Sequence, residues 1–201
     1  MTPDHHTLAR PRHPLPNWLH SYPAHLSRTW TLASGESLRV RPVRHDDSEL
    51  EEALVRALSF ESRYQRMLSG GTKVTPEWID AMTHIDYHRH MAFAITTVND
   101  GVEQFVGVGR YVVDALKSSA EVALVLADAW QGQGLGRRLL ATLLEHAHTA
   151  GVCEAVGVVL ATNKSMLRLA RSMGFAVTPE PGDATVVRIR RDLRILNAQP
   201  H

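Results

Sequence analysis

Between Leu38 and Arg44 apolar and basic residues alternate, with Leu38, Val40 and Pro42 set against Arg39, Arg41 and Arg44. A period of two predicts a strand with one dry face. The spacing then lengthens. His45-Asp46-Asp47-Ser48 opens a helix to about residue 57, with Leu50, Leu54 and Leu58 on one stripe and acids in its first turn. A short helix is predicted over 59–68, broken by Gly70-Gly71, and a third begins at Thr75-Pro76-Glu77 with proline at the first helical position. Strands over 91–98 and 104–113 flank Asn99-Asp100-Gly101, a hairpin signal. After them come a strand over 121–127 and a helix over 134–149 whose apolar face carries Leu135, Leu139, Leu140, Leu143, Leu144 and Ala147. Gly151 ends that helix, and the apolar run 152–160 suits a buried strand. Asn163 reads as the N-cap of a helix to residue 173, with Gly174 just past its end. Extended chain over 175–177, a turn over 178–182 and a last strand over 185–193 complete the pattern, without internal repeat. Antiparallel strands followed by β-α-β-α-β describe a mixed α/β sheet, mostly antiparallel, with helices on both faces.

Composition divides the chain. Five of the ten prolines and five of the twelve histidines fall in the first 25 residues, so 1–27 reads as an extended arm, 28–195 as the folded domain and 196–201 as a tail. Charges nearly cancel, with 22 Lys+Arg against 21 Asp+Glu, and nothing in the total asks for nucleic acid or an anionic membrane. The basic clusters Arg39/Arg41/Arg44 and Arg188/Arg190/Arg191/Arg194 alternate as solvated strand faces do, without interleaved aromatics for stacking on bases. The single cysteine, Cys153, excludes an internal disulfide and reads as a small buried residue rather than a nucleophile. No apolar run nears the ~20 residues that span a bilayer, and the N-terminus lacks a signal-peptide core. A cytoplasmic monomer or homodimer is expected. His84, His88 and His90 fit no zinc spacing, so no metal is expected.

The sharpest local signal is Trp130-Gln131-Gly132-Gln133-Gly134-Leu135-Gly136-Arg137-Arg138, between a strand and an amphipathic helix. Glycines allow close backbone approach, and the helix start offers unpaired N–H groups with about half a positive charge. The two together make an anion site suited to a diphosphate. The alternative is a tight strand-to-helix turn with no ligand. A P-loop needs a lysine that is missing, and a dinucleotide fingerprint puts Arg137 where its third glycine belongs.

Gln131-x-x-Gly134-x-Gly136 resembles the Q/R-x-x-G-x-G/A signature of the GNAT (Gcn5-related N-acetyltransferase) superfamily. Asn163-x-x-Met166-Leu167-x-x-Ala170-x-x-x-Gly174-Phe175 resembles its second signature. From Tyr22-Pro23 onward, Leu38-Arg39-Val40-Arg41-Pro42-Val43-Arg44, Asp46-Asp47, Leu58-Ser59-x-Glu61-Ser62-Arg63-Tyr64-x-Arg66 and Ile85-Asp86-Tyr87 are similar to the acetyltransferase domain of bacterial protein lysine acetyltransferases. The resemblance implies the GNAT fold and acetyl-CoA as donor. It places the diphosphate on the amides of Gln131, Gly132, Gln133, Gly134, Leu135 and Gly136; Asn163, a helix cap, also lies where pantetheine would run, Leu124, Val125 and Leu126 are read as coenzyme-binding through a backbone N–H, and Arg137 as a phosphate contact or a solvated first-turn arginine. It implies an acceptor amine on a protein lysine, with a metabolic enzyme such as an acyl-CoA synthetase as partner, and Glu121 as general base. Ala170 stands where many members carry a tyrosine acid, and His88 and His90 stand where acids are expected. Asp86 and Tyr87 are candidates for the acceptor site. The fused synthetase-like or cyclic-nucleotide domain of many relatives is absent from this sequence.

The chemistry is consistent with those roles. A lysine with a pKa of about 10.4 is almost wholly protonated at pH 7, and an ammonium cannot attack a thioester. Glu121, ordinarily near 4.3, needs its basicity raised by apolar neighbours such as Val122, Ala123 and Leu124. A thiolate leaves with less help, in keeping with Ala170, and a backbone N–H of residues 124–126 can hold the thioester oxygen. Two rivals stand beside this reading: the same chemistry on a small amine, and a non-catalytic acyl-CoA-binding module.

Overall fold

A computed structural model of the protein describes residues 21–68, 74–114, 116 and 118–195. The Gly70-Gly71 break, the tail and most of the arm lie outside them. The strands are β1 (Arg28–Thr31), β2 (Ser37–Pro42), β3 (His90–Asn99), β4 (Val102–Asp114), β5 (Ser119–Leu126), β6 (Glu154–Leu160), β7 (Ala176–Glu180) and β8 (Asp183–Asp192). They form a sheet in the order β1-β2-β3-β4-β5-β6-β8-β7. Every pairing is antiparallel except β5 with β6. The helices are α1 (Ser48–Ala57), α2 (Phe60–Met67), α3 (Pro76–Thr83), α4 (Leu135–Thr149) and α5 (Lys164–Ser172).

Alternation along β3 assigns the two faces. Ala92 and Ala94 pack with Leu54 and Leu58 of the α1 side, and Met91, Phe93 and Ile95 pack with the α4 leucines. All six apolar positions expected on α4 are buried, each worth up to a few kcal/mol of removed surface. Gly109 lies beneath them: a Cβ there would stand 2.7 Å from Leu143 Cδ1, so only glycine lets α4 sit this close. In β4 the pairing passes from Gly107 opposite Ile95 to Phe105 opposite Thr96. Val106 is therefore the extra residue of a bulge, and neighbouring Phe105 and Val106 reach opposite cores. The hairpin turn has Asp100 and Gly101 both at positive φ, as its two-residue loop requires.

Three expectations are corrected. Arg41 is wholly buried, not solvated; it lies between Asp47 (2.7 Å) and Glu103 (3.0 Å). Burial alone would lower its pKa, but the two carboxylates outweigh that and raise it. The turn expected over 178–182 is narrower, because β7 runs to Glu180 and the chain reverses at Pro181-Gly182. Cys153 is half-buried rather than buried. Among the described residues no helix is long and apolar enough to cross a membrane.

Candidate active site

β5 and β6 are paired over three residues only. Ser119 faces Glu154, Ala120 faces Ala155 and Glu121 faces Val156, and there the ladder stops. Beyond it, residues 122–126 are paired only with β4, and residues 157–160 only with β8. Alternate N–H and C=O groups of residues 122–126 therefore point into a gap where a strand partner would lie. A cavity of about 380 Å³ fills it. Leu124, Val125 and Leu126 line one wall, and Val158, Val159 and Met166 the other.

One end of the cavity is the glycine turn. Gly132 and Gly134 have φ of 75° and 79°, a region where L side chains are strained. Gly134 is the N-cap of α4 and provides no side-chain cap, so the first amides of the helix are left for a ligand. The Gln131 amide donates to Ser62 Oγ (3.1 Å) and to the Leu126 carbonyl (3.2 Å), fixing the entry to the turn. Arg137 also lines the cavity, but its guanidinium donates to the Ser172 carbonyl and hydroxyl, latching α4 to α5.

Glu121, five residues up β5 and so about 16 Å from Leu126, lines the same cavity with α2 residues Ser62, Gln65 and Arg66. Register puts Glu121 opposite Val112, and Ala123 opposite Arg110, so Glu121 and Arg110 share the α1 face as diagonal neighbours. Below them Arg110 donates to Glu51 Oε1 (3.0 Å), both side chains being buried, and among the described residues Glu51 Oε2 has no hydrogen-bond partner. Burial pushes the Glu51 carboxyl up despite the two nearby guanidiniums, and it brings Arg110 down to about 10. Arg66 is also held down by burial, while Glu51 and Glu121 pull it the other way. Of the two guanidiniums, Arg66 is the one drawn to the Glu121 carboxylate.

Residues 55–175 match the acetyltransferase (GNAT) family. The chain belongs to that family. Acetyltransferase PA5475 of Pseudomonas aeruginosa is 32% identical over 157 residues, covering 78% of this chain and 84% of that protein. Acetyltransferase Pat of Mycolicibacterium smegmatis is 28% identical over 168 residues, covering 83% of this chain and 49% of that one. Among solved structures, the GNAT domain of S. lividans PAT superposes with a TM-score of 0.76 at 28% identity, covering 86% of this chain and 99% of that domain.

Against this GNAT frame, the cavity gathers Glu121, Leu124, Val125, Leu126, Gln131, Gly132, Gly134, Gly136, Arg137 and Asn163. Gln133 and Leu135 are not among its lining residues: the Gln133 side chain donates to the Ala129 carbonyl, and the Leu135 side chain is buried in the core. Asn163 Oδ1 accepts from Met166 N (3.0 Å), the helix cap expected of it. Arg138 turns away and stacks over Trp30 at 4.4 Å. Glu121 is exposed, so Val122, Ala123 and Leu124 do not bury it. Asp86 and Tyr87 do not line the cavity. Asp86 Oδ1 caps its own loop by accepting from His88, Arg89 and His90 N–H, and the Tyr87 hydroxyl donates to the Val43 carbonyl. His90 lies under α3 against Arg110, at 3.4 Å. Beside Glu121 the cavity is lined instead by α2, through Ser62, Gln65 and Arg66. Its signal was the Ser59, Ser62 and Arg66 spacing within the resemblance motif. Among the described residues no group of three His, Cys, Asp or Glu side chains could hold a metal ion.

Proposed function

We propose that this acetyltransferase moves the acetyl group of acetyl-CoA to the ε-amine of a lysine in a protein acceptor, with Glu121 taking the proton. One observation carries the reading: the glycine turn, the unpaired edge of β5 and the Glu121 carboxylate line one cavity in that order. Fit to the coenzyme rests on the same features. A diphosphate finds amides at residues 131–136, and an amide-bearing arm finds strand-like partners at residues 122–126. When bound, acetyl-CoA supplies an acyl group activated as a thioester.

The protein's own groups do the rest. The edge amides of residues 124–126 orient the carbonyl and donate to its oxygen as charge grows there. Glu121 accepts the ammonium proton, directly or through water, freeing the nitrogen lone pair for attack. The resemblance to bacterial protein lysine acetyltransferases supports lysine as the acceptor.

The test is turnover of acetyl-CoA against a panel of small amines and purified metabolic enzymes headed by an acyl-CoA synthetase. Lysine acetylation of a protein is expected, and Glu121→Gln is expected to lower turnover ~10²–10⁴-fold with coenzyme affinity nearly intact. Saturable turnover of a small amine without protein labelling would replace the lysine reading. Tight CoA binding with no activity to lose would make the chain a binding module.

A further inference from the structure

α2 has its amphipathic sense reversed. A helix on a globular domain normally turns its apolar stripe to the core. Here none of the residues of α2 is fully buried. Its polar residues Ser62, Gln65 and Arg66 line the cavity, whereas Phe60 and Tyr64, four apart, are exposed at 70% and 36%, and Leu68, the left-handed residue that ends the helix, is exposed at 38% and reaches the cavity as well. The Phe60 and Tyr64 rings stack on one another at 6.2 Å, and neither ring belongs to the two hydrophobic core clusters of the described residues. Hydrophobic burial therefore does not hold α2 in place. Polar contacts do: Asp128 accepts from Ser59 N (2.9 Å), Ser59 Oγ (2.8 Å) and Ser62 Oγ (2.6 Å), the Gln131 amide donates to Ser62 Oγ, and the Arg66 guanidinium is drawn to Glu51. The apolar face is thus presented on a helix pinned from behind.

We infer that the outer face of α2 is the docking surface for the acceptor protein, the segment flanking the acceptor lysine lying across Phe60, Tyr64 and Leu68. This rests on the lysine reading and extends it. Two observations choose the occupant. First, the stripe runs into the catalytic cavity: Leu68 belongs to both, and on the other side of Glu121 its cross-strand neighbour Val112 is also exposed, at 46%. Exposed apolar side chains thus lie on both sides of the carboxylate, outside its polar neighbours from α2, and a chain that delivers an amine to it meets α2 on the way. Second, the stripe is small. Side chains of this size present about 150–250 Å² when fully exposed, so the three together offer roughly 300 Å², well short of the ~800 Å² per partner of a stable interface. A patch of that size suits a substrate that must leave after each turnover, rather than a permanent second copy of the chain.

The experiment compares wild type with the double variant Phe60→Ser/Tyr64→Ser on two acceptors: the protein from the panel above that wild type acetylates best, and n-butylamine. The expected result is a fall in kcat/KM on the protein of roughly 10-fold or more, carried by KM, with butylamine turnover, acetyl-CoA affinity and thermal unfolding unchanged. Phe60→Tyr/Tyr64→Phe should restore protein acetylation. Unchanged protein kcat/KM in the serine variant overturns the inference. So does sedimentation showing a wild-type dimer that the serine variant dissolves, since the occupant would then be a second copy. If wild type labels no protein yet turns over butylamine, the lysine reading itself fails and this surface fails with it.

Discussion

Arg41 shows what a single buried charge demands. Its guanidinium is enclosed with Asp47 and Glu103, and Asp47 Oδ2 also accepts from the Arg44 amide. Removing the cation leaves Asp47 buried without its partner, so Arg41→Leu should cost about 3–5 kcal/mol in urea unfolding; a loss under ~1 kcal/mol would show that the pair contributes little. His90 gives a pH signature. Burial first, and the Arg110 guanidinium second, bring its pKa to about 4 from the ordinary 6.5, with Asp86 pulling the other way. The unfolded chain therefore takes up a proton between those values that the folded protein refuses. Stability from this group is full above about pH 7 and is lost as pH falls through the window, by about 1–2 kcal/mol between roughly pH 7.5 and 5 after allowing for partial exposure. The unfolding free energy of His90→Gln, compared with wild type at the two pH values, isolates this slope, because Glu51, whose raised pKa works in the opposite sense, is common to both proteins. A wild-type slope no steeper than the variant's would contradict the assignment. Neither Arg41 nor Glu51 could be read as buried from the sequence. Each sits in a regular polar position, and each takes its partner from a strand some sixty residues away.

At the scale of elements, the best-read parts are those whose signal is local. α4 follows from its leucine spacing, α5 from Asn163 and Gly174, and the β3–β4 hairpin from Asn99-Asp100-Gly101, since cap, stripe and turn residues act within a few positions of themselves. β1 escaped notice because its four residues show one buried side chain, Trp30, and take their strand character from pairing with β2. The role of α2 escaped for a similar reason: its orientation is set by Asp128, which lies more than sixty residues on. That anchor makes a prediction. Asp128→Ala removes the acceptor of three hydrogen bonds from α2 without touching the hydrophobic core. Amide exchange in α2 should quicken by ~10-fold or more while that of α4 stays as in wild type. Because Ser62 also receives the Gln131 amide, the Michaelis constant for acetyl-CoA should rise too. Exchange unchanged in α2 would mean that some other contact holds it.

Across the whole molecule, the sheet is two sheets with a short seam. β1–β5 form one antiparallel run and β6, β8 and β7 another, and only the three parallel pairs of β5 with β6 join their ladders. Up to the seam both halves are tied further by side chains, α4 packing on β4 and β5 and the Arg137 latch reaching α5. Beyond the seam, backbone groups of β5 face the gap rather than another strand. A coenzyme laid there supplies the missing ladder on that edge, so binding should act as a structural closure as well as a loading step. At about 100 times its dissociation constant, acetyl-CoA should stabilise the fold by ~2.7 kcal/mol, or roughly 5–10 °C in Tm for a domain of this size. The location of the effect tests the geometry. Hydrogen exchange should slow at residues 122–126 and 131–136, and little in β1 and β2, which lie at the far edge of the sheet. Gly134→Asp puts a carboxylate, on a backbone conformation that disfavours it, where the diphosphate should lie, and should abolish both the Tm shift and the protection. A full Tm shift in that variant, or protection spread evenly over the sheet, would place the coenzyme somewhere other than the gap between β5 and β6.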